Sequence, residues 1–300
     1  MHVLTVLLSV WFNIGADFVD KLIARTGRAK DFAFWTNVIQ FMLLLPLVGL
    51  VTPIPYKALA LCASVGAITA YGRIPWYHAL AVQGQGLSRL TPFVRLSSIF
   101  VLLGAIFILK EPNSPERFVG GGLIILASII VLLDEPLTTV RKLLETNRAP
   151  LFAIIFAISS SAVPLLYKYL VNEGLNLFSI YFYLKLFQAT FIMLSSSHGA
   201  ISSLHMTSFV AFKLIIFARI LQTCAALFYL YALTRIDLSV AEPIAALGPF
   251  FIIVTELLLR WKNVGLDKLI SRESYSSRSA TARALSVALA IFGLLLMLRR

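Results

Sequence analysis

Apolar runs of about 20 residues, the length a helix needs to cross a bilayer, recur along almost the whole chain and are broken by short polar turns. They predict membrane spans at 3–24, 32–51, 57–77, 87–109, 118–134, 150–171, 177–195, 208–232, 238–259 and 282–298. Thr52-Pro53-Ile54-Pro55 and Glu111-Pro112-Asn113-Ser114-Pro115 read as rigid turns between them. A stretch rich in Ser, Arg and Lys, 260–282, predicts a polar surface loop with a short interfacial helix from Leu266 to Ile270.

The polar landmarks repeat. Lys21 lies six residues before Gly27 and leads into Phe32-Ala33-Phe34-Trp35; Lys168 lies six before Gly174 and leads into Ile180-Tyr181-Phe182-Tyr183. Ala79-Leu80, Leu87-Ser88 and Pro92 are matched by Ala232-Leu233, Leu238-Ser239 and Pro243. The chain therefore divides into two versions of one helical unit, 1–145 and 146–300, joined by a basic linker with Arg141, Lys142 and Arg148. A duplicated block of hydrophobic helices is the pattern of a transporter whose site lies where the repeats meet.

Composition agrees with a bilayer. Hydrophobic residues are 59% of the chain and charged residues 13%, about half the share in an ordinary soluble domain. The net charge of +12 is scattered over loops and span interiors, which suits anionic headgroups and topology control and not a nucleic-acid footprint. Counting Lys and Arg puts twelve in the loops after odd-numbered spans against six opposite, which places both termini outside. Val3-Leu4-Thr5-Val6-Leu7-Leu8 lacks a preceding basic segment and reads as the first span, not a cleaved signal. Cys62 and Cys224 sit in apolar runs and the four histidines share no ligand spacing, so no disulfide, metal or cofactor is expected. Gly120-Gly121-Gly122 lacks the Lys-Ser/Thr of a phosphate loop and reads as a close helix contact.

Ionisable groups inside spans are costly enough that each is a functional candidate. Asn13, Asp17 and Lys21 share one face of the first span, beside Asp20; Asp17 and Lys21 also have the spacing of a local ion pair. Ser88, Thr91, Arg95 and Ser98 form a polar stripe on the fourth, where Arg95 suits either a bridge to another helix or an anionic ligand. Tyr181, Lys185 and Gln188 share a face of the seventh, Arg219, Gln222 and Thr223 one of the eighth, and Arg73 stands in the third. Ser239, Glu242, Ala246, Pro249 and Glu256 give the ninth a face suited to water. Glu242 reads as a proton-carrying carboxyl or as a partner of Arg235 or Arg219.

Tyr77-His78-Ala79-Leu80, Ser88, Pro92, a long apolar run, Leu109-Lys110-Glu111, Pro115 and Gly120 together resemble the EamA-like domain of the drug/metabolite transporter superfamily. The second half is similar through Tyr231-Ala232-Leu233, Ser239, Pro243 and Pro249. It departs at Arg260-Trp261-Lys262, where Gly-Glu is usual in that family. The resemblance implies an all-α integral membrane protein of ten transmembrane helices in two inverted five-helix repeats around a central cavity. It also implies transport of small metabolites by alternating access, with both termini in the cytoplasm, opposite to the charge count.

Function is accordingly expected to be secondary transport of a small polar organic metabolite, an amino acid or organic anion, across a bacterial inner or other plasma membrane. Arg95, Lys185, Arg219, Arg73, Thr91, Ser98, Tyr181 and Gln222 are the expected substrate contacts. Glu242, Asp17, Lys21 and Glu256 are the expected coupling or counter-ion groups, with protons or another ion as partner. A flippase for a lipid-linked headgroup is the alternative within transport. A membrane-integral enzyme would need more than Ser159-Ser160-Ser161 or Ser195-Ser196-Ser197-His198, neither of which has an acid at useful spacing.

Overall fold

The computed structural model describes residues 2–24, 29–81, 87–111, 114–130, 148–195, 209–248, 250–252 and 277–298. Among them every regular element is helical: α1 (His2–Ala24), α2 (Ala29–Met42), a 3-10 helix (Leu45–Leu50), α3 (Tyr56–Ala81), α4 (Leu87–Phe107) and α5 (Pro115–Ile130). After the central linker come α6 (Ala149–Asn172), α7 (Leu177–Ser195), α8 (Phe209–Leu233), α9 (Leu238–Ala245) and α10 (Ser277–Leu298). Five helical stretches are long and apolar enough to cross a membrane: α1, α3, α6, α7 and Phe212–Leu233 of α8. Large apolar side chains such as Leu4, Phe107, Ile108, Leu126, Leu194 and Leu295 are exposed on the outside, a surface that suits lipid.

Local chemistry explains the boundaries. Pro150 stands in the first turn of α6, where its missing N–H removes no helical bond. Gly174, at φ 75°, ends the α6 turn, with Leu175 N donating to the Leu170 carbonyl at 3.2 Å. The expected span at 32–51 is not one helix: α2 stops at Met42 and a 3-10 helix containing Pro46 follows, because proline cannot donate to the carbonyl a turn earlier. The span expected from 238 is interrupted as well, with a turn at Ala246-Leu247 after α9. The expected features at 135–147, 196–208 and 253–276 lie outside the described residues.

The main packing contacts join the first half of the chain to the second. α1 packs on α8, α3 on α6 and α7, α4 on α6, α2 on α7, and α5 on α10. Glycines set the closest crossings. A Cβ at Gly72 of α3 would lie 1.9 Å from Ser159 Oγ of α6, and one at Gly120 of α5 would lie 2.6 Å from the Gly293 carbonyl oxygen of α10. Two apolar clusters take opposite ends of the same helices. α3 gives Ala58 and Cys62 to one and Trp76, Tyr77 and Leu80 to the other; α6 gives Leu166 and Leu170 to the first, Ala149 and Ala153 to the second. Thr69 and Arg73 of α3 and Ser160 and Ser161 of α6 lie between these clusters along their helices.

Candidate functional site: a polar cavity between the halves

A cavity of about 280 Å³ opens at mid-depth, walled by α1, α3, α4, α6, α7, α8 and α9. Its size is at the lower end of the roughly 300–1,000 Å³ usual for small-molecule sites. α3 presents Thr69, Arg73 and Trp76, four and three residues apart and so on one face. α7 presents Tyr181, Lys185 and Gln188 by the same spacing, and α8 presents Gln222, Ala226 and Tyr229. Trp76 stacks on Phe156 of α6 with ring centroids 5.1 Å apart, giving the cavity an aromatic wall.

The cations in this wall are held by neutral groups. Lys185 is buried; its Nζ donates to Gln188 Oε1 at 2.9 Å and lies 5.3 Å from the Tyr181 ring centroid. Gln188 Nε2 donates in turn to Thr69 Oγ1 at 2.6 Å, tying α7 to α3 across the halves. Tyr181 accepts from Gln40 Nε2 at 2.7 Å. Arg73 has a buried Nη1 with no hydrogen-bond partner among the described residues. Neither Arg73 nor Lys185 has a carboxylate within ion-pair distance among those residues. Both therefore present basic nitrogens to the cavity, which Asp17 and Glu242 also line, and an anionic oxygen on a ligand is a complement to those nitrogens.

Other expected site residues are placed differently. Arg219 does not line the cavity: it is fully buried and paired with Asp20 of α1, while its Nη1 also donates to Gln222 Oε1. It acts as a bridge between α1 and α8, because its long side chain reaches a carboxylate on the neighbouring helix. Ser98 is also behind the wall, donating to Glu242 Oε1 at 2.9 Å. Glu242 lines the cavity and accepts from Tyr229 as well, at 2.7 Å, so its partners are not Arg219 or Arg235. Asp17 lines the cavity, whereas Lys21 is buried outside it. Thr91 and Arg95 are on α4 with side chains outside the described residues, as is Glu256 altogether.

Sequence reasoning missed Thr69, Tyr229, Gln40 and Glu111. The first two carry a readable signal, since Thr69 precedes Arg73 by one turn and Tyr229 follows Gln222 by two. Glu111 shows its role only in three dimensions. Its carboxylate accepts from the backbone N–H groups of Leu238 and Ser239, both at 2.8 Å, and so caps α9 from the other half of the chain. Beside it Arg117 is 3.4 Å from Asp237, and Lys168 donates to the carbonyls of Leu233 and Ile236 at 3.1 and 2.9 Å. Glu111 and Arg117 thereby lace one end of the molecule across the halves, while the Lys168 contacts stay within the second.

No family model and no curated protein matches this chain. A solved structure described only as "Crystal structure of protein" is similar to 98% of this chain over 96% of its own, with a TM-score of 0.65 and 13% sequence identity. That likeness shows a shared fold along the whole length.

Proposed function

We propose that this protein is a secondary transporter of ten membrane spans in two inverted five-helix repeats, and that it carries a small carboxylate-bearing metabolite by alternating access. The observation that carries the reading is the central cavity, lined by Arg73 and Lys185, neither of which has a described carboxylate within ion-pair distance. The packing supports the repeat. Exchanging α1 with α6, α3 with α8 and so on turns the α1–α8 contact into α6–α3 and α3–α7 into α8–α2, while α5–α10 and α2–α7 map onto themselves. An odd number of crossings in each half would set the two halves antiparallel, the arrangement that lets one site face either side in turn. The interior charges also favour transport over a structural role, since each is costly in a membrane. The resemblance of Tyr77–Gly120 and Tyr231–Pro249 to EamA-like transporters points the same way.

The test is uptake into proteoliposomes of a labelled pool of amino acids and small organic acids. Saturable uptake of carboxylate-bearing solutes above empty vesicles is expected. Arg73→Gln or Lys185→Gln should each lower it by about 10-fold or more, the loss of one charge-assisted contact. Unchanged uptake in the double variant, or no uptake by the wild type, would refute the proposal.

A further inference from the structure

Glu242 lines the cavity from α9, is buried, and has no Lys, Arg or His within ion-pair distance among the described residues. A buried carboxylate with no counter-charge is expensive to keep ionised. Its two oxygens meet two hydroxyls, Ser98 Oγ of α4 at 2.9 Å and Tyr229 Oη of α8 at 2.7 Å. A hydroxyl donates to a carboxylate or, after rotating, accepts from a carboxylic acid. Ser98 and Tyr229 therefore satisfy Glu242 in both protonation states, which a guanidinium, an ammonium or a backbone amide could not do.

The other charged groups on the helices around α9 are engaged or face the cavity. Arg117, at the start of α5, is paired with Asp237, and Lys168 of α6 caps the end of α8. Glu111 is bound to the first amides of α9. Asp17 of α1, Arg73 of α3 and Lys185 of α7 share the cavity with Glu242, and α4 presents Ser97 and Ser98 among its described side chains.

We propose that Glu242 is the proton-binding site of the transporter and that it takes up a proton together with an anionic solute. The inference rests on the transporter reading. A solute carboxylate entering so small a cavity brings a second negative charge close to Glu242 in a medium of low dielectric. Protonation relieves that repulsion, so anion binding favours proton binding. By linkage, proton binding favours anion binding to the same degree. The proton comes from water on the side to which the cavity is open and leaves with the solute on the other. An O–H bond of hydronium breaks as the Glu242 O–H bond forms, and on the other side the Glu242 O–H bond breaks as water takes the proton back.

The experiment uses the full chain in proteoliposomes with the membrane potential clamped by potassium and valinomycin, the outside acidified, and the same labelled pool supplied. The wild type should concentrate the label. Glu242→Gln should lose the concentrating step, whatever its rate of exchange between equal pools. Tyr229→Phe removes one of the two hydroxyl partners of Glu242, so the pH profile of its accumulation should move away from that of the wild type. Gradient-driven accumulation by Glu242→Gln at the wild-type level overturns the proposal. If that variant exchanges nothing, an unshifted pH profile in Tyr229→Phe overturns it instead. A wild type that moves label without regard to the pH gradient removes the proton site alone, while a wild type that moves no label removes the transporter reading.

Discussion

Lys110 adopts the left-handed backbone conformation, φ 53°, immediately after α4. Glu111 N reaches back to the Ala105 carbonyl at 3.1 Å, which reverses the chain and aims the Glu111 carboxylate at α9. The Lys110-Glu111 pair thus has a physical role: the first residue turns left-handed, and the second caps. Glycine takes that conformation at lower steric cost. Lys110→Gly should raise stability by about 1 kcal/mol, seen as a higher midpoint of thermal unfolding in detergent. The Arg219–Asp20 pair shows why residue roles were only partly legible. The polar face of α8 is plain in the sequence, but the partner of Arg219 is 199 residues away and no local spacing reveals it. Replacing one member, as in Arg219→Met, leaves a buried charge alone and should cost about 3–5 kcal/mol. Asp20→Asn with Arg219→Gln should cost less than the sum of the two single changes, a comparison that thermal unfolding can make.

At the scale of elements, hydrophobic length located most helices to within a few residues, because the apolar run and the helix share one cause. α1, α3, α4, α6, α7 and α8 follow the expected spans closely. The exceptions are α2 and α9; after α2, Pro46 in an otherwise apolar run removes a backbone donor, and hydropathy registers nothing. The contact between α5 and α10 depends on small residues that the Gly120-Gly121-Gly122 run did suggest. A side chain at Gly120 meets the backbone of Gly293, and one at Gly293 would lie 2.6 Å from the Gly120 carbonyl. Because both obstacles are main chain, neither can yield by rotating. Gly120→Leu should separate the two helices and lower the thermal midpoint, whereas Gly122→Leu, with nothing within 4 Å of its Cβ, should leave it unchanged.

For the whole molecule, contacts between the first and second halves of the chain create the cavity that neither half could form alone. Which cations face it was beyond sequence reasoning. Arg73, Lys185 and Arg219 are all polar positions on apolar helices, and only packing separates the first two from the third. One end of the molecule is laced by Glu111 and Arg117. A transporter would have to loosen that lacing to expose the site on that side. The most direct measurement is on a water-accessible, solute-filled chamber at Ser160, a cavity-lining residue of α6. In a background with Cys62→Ala and Cys224→Ala, Ser160→Cys should react with a membrane-impermeant thiol reagent, and the pool of small carboxylates should protect it. A thiol at that position that stays unreactive, or whose labelling the pool leaves untouched, would contradict the chamber and the function built on it.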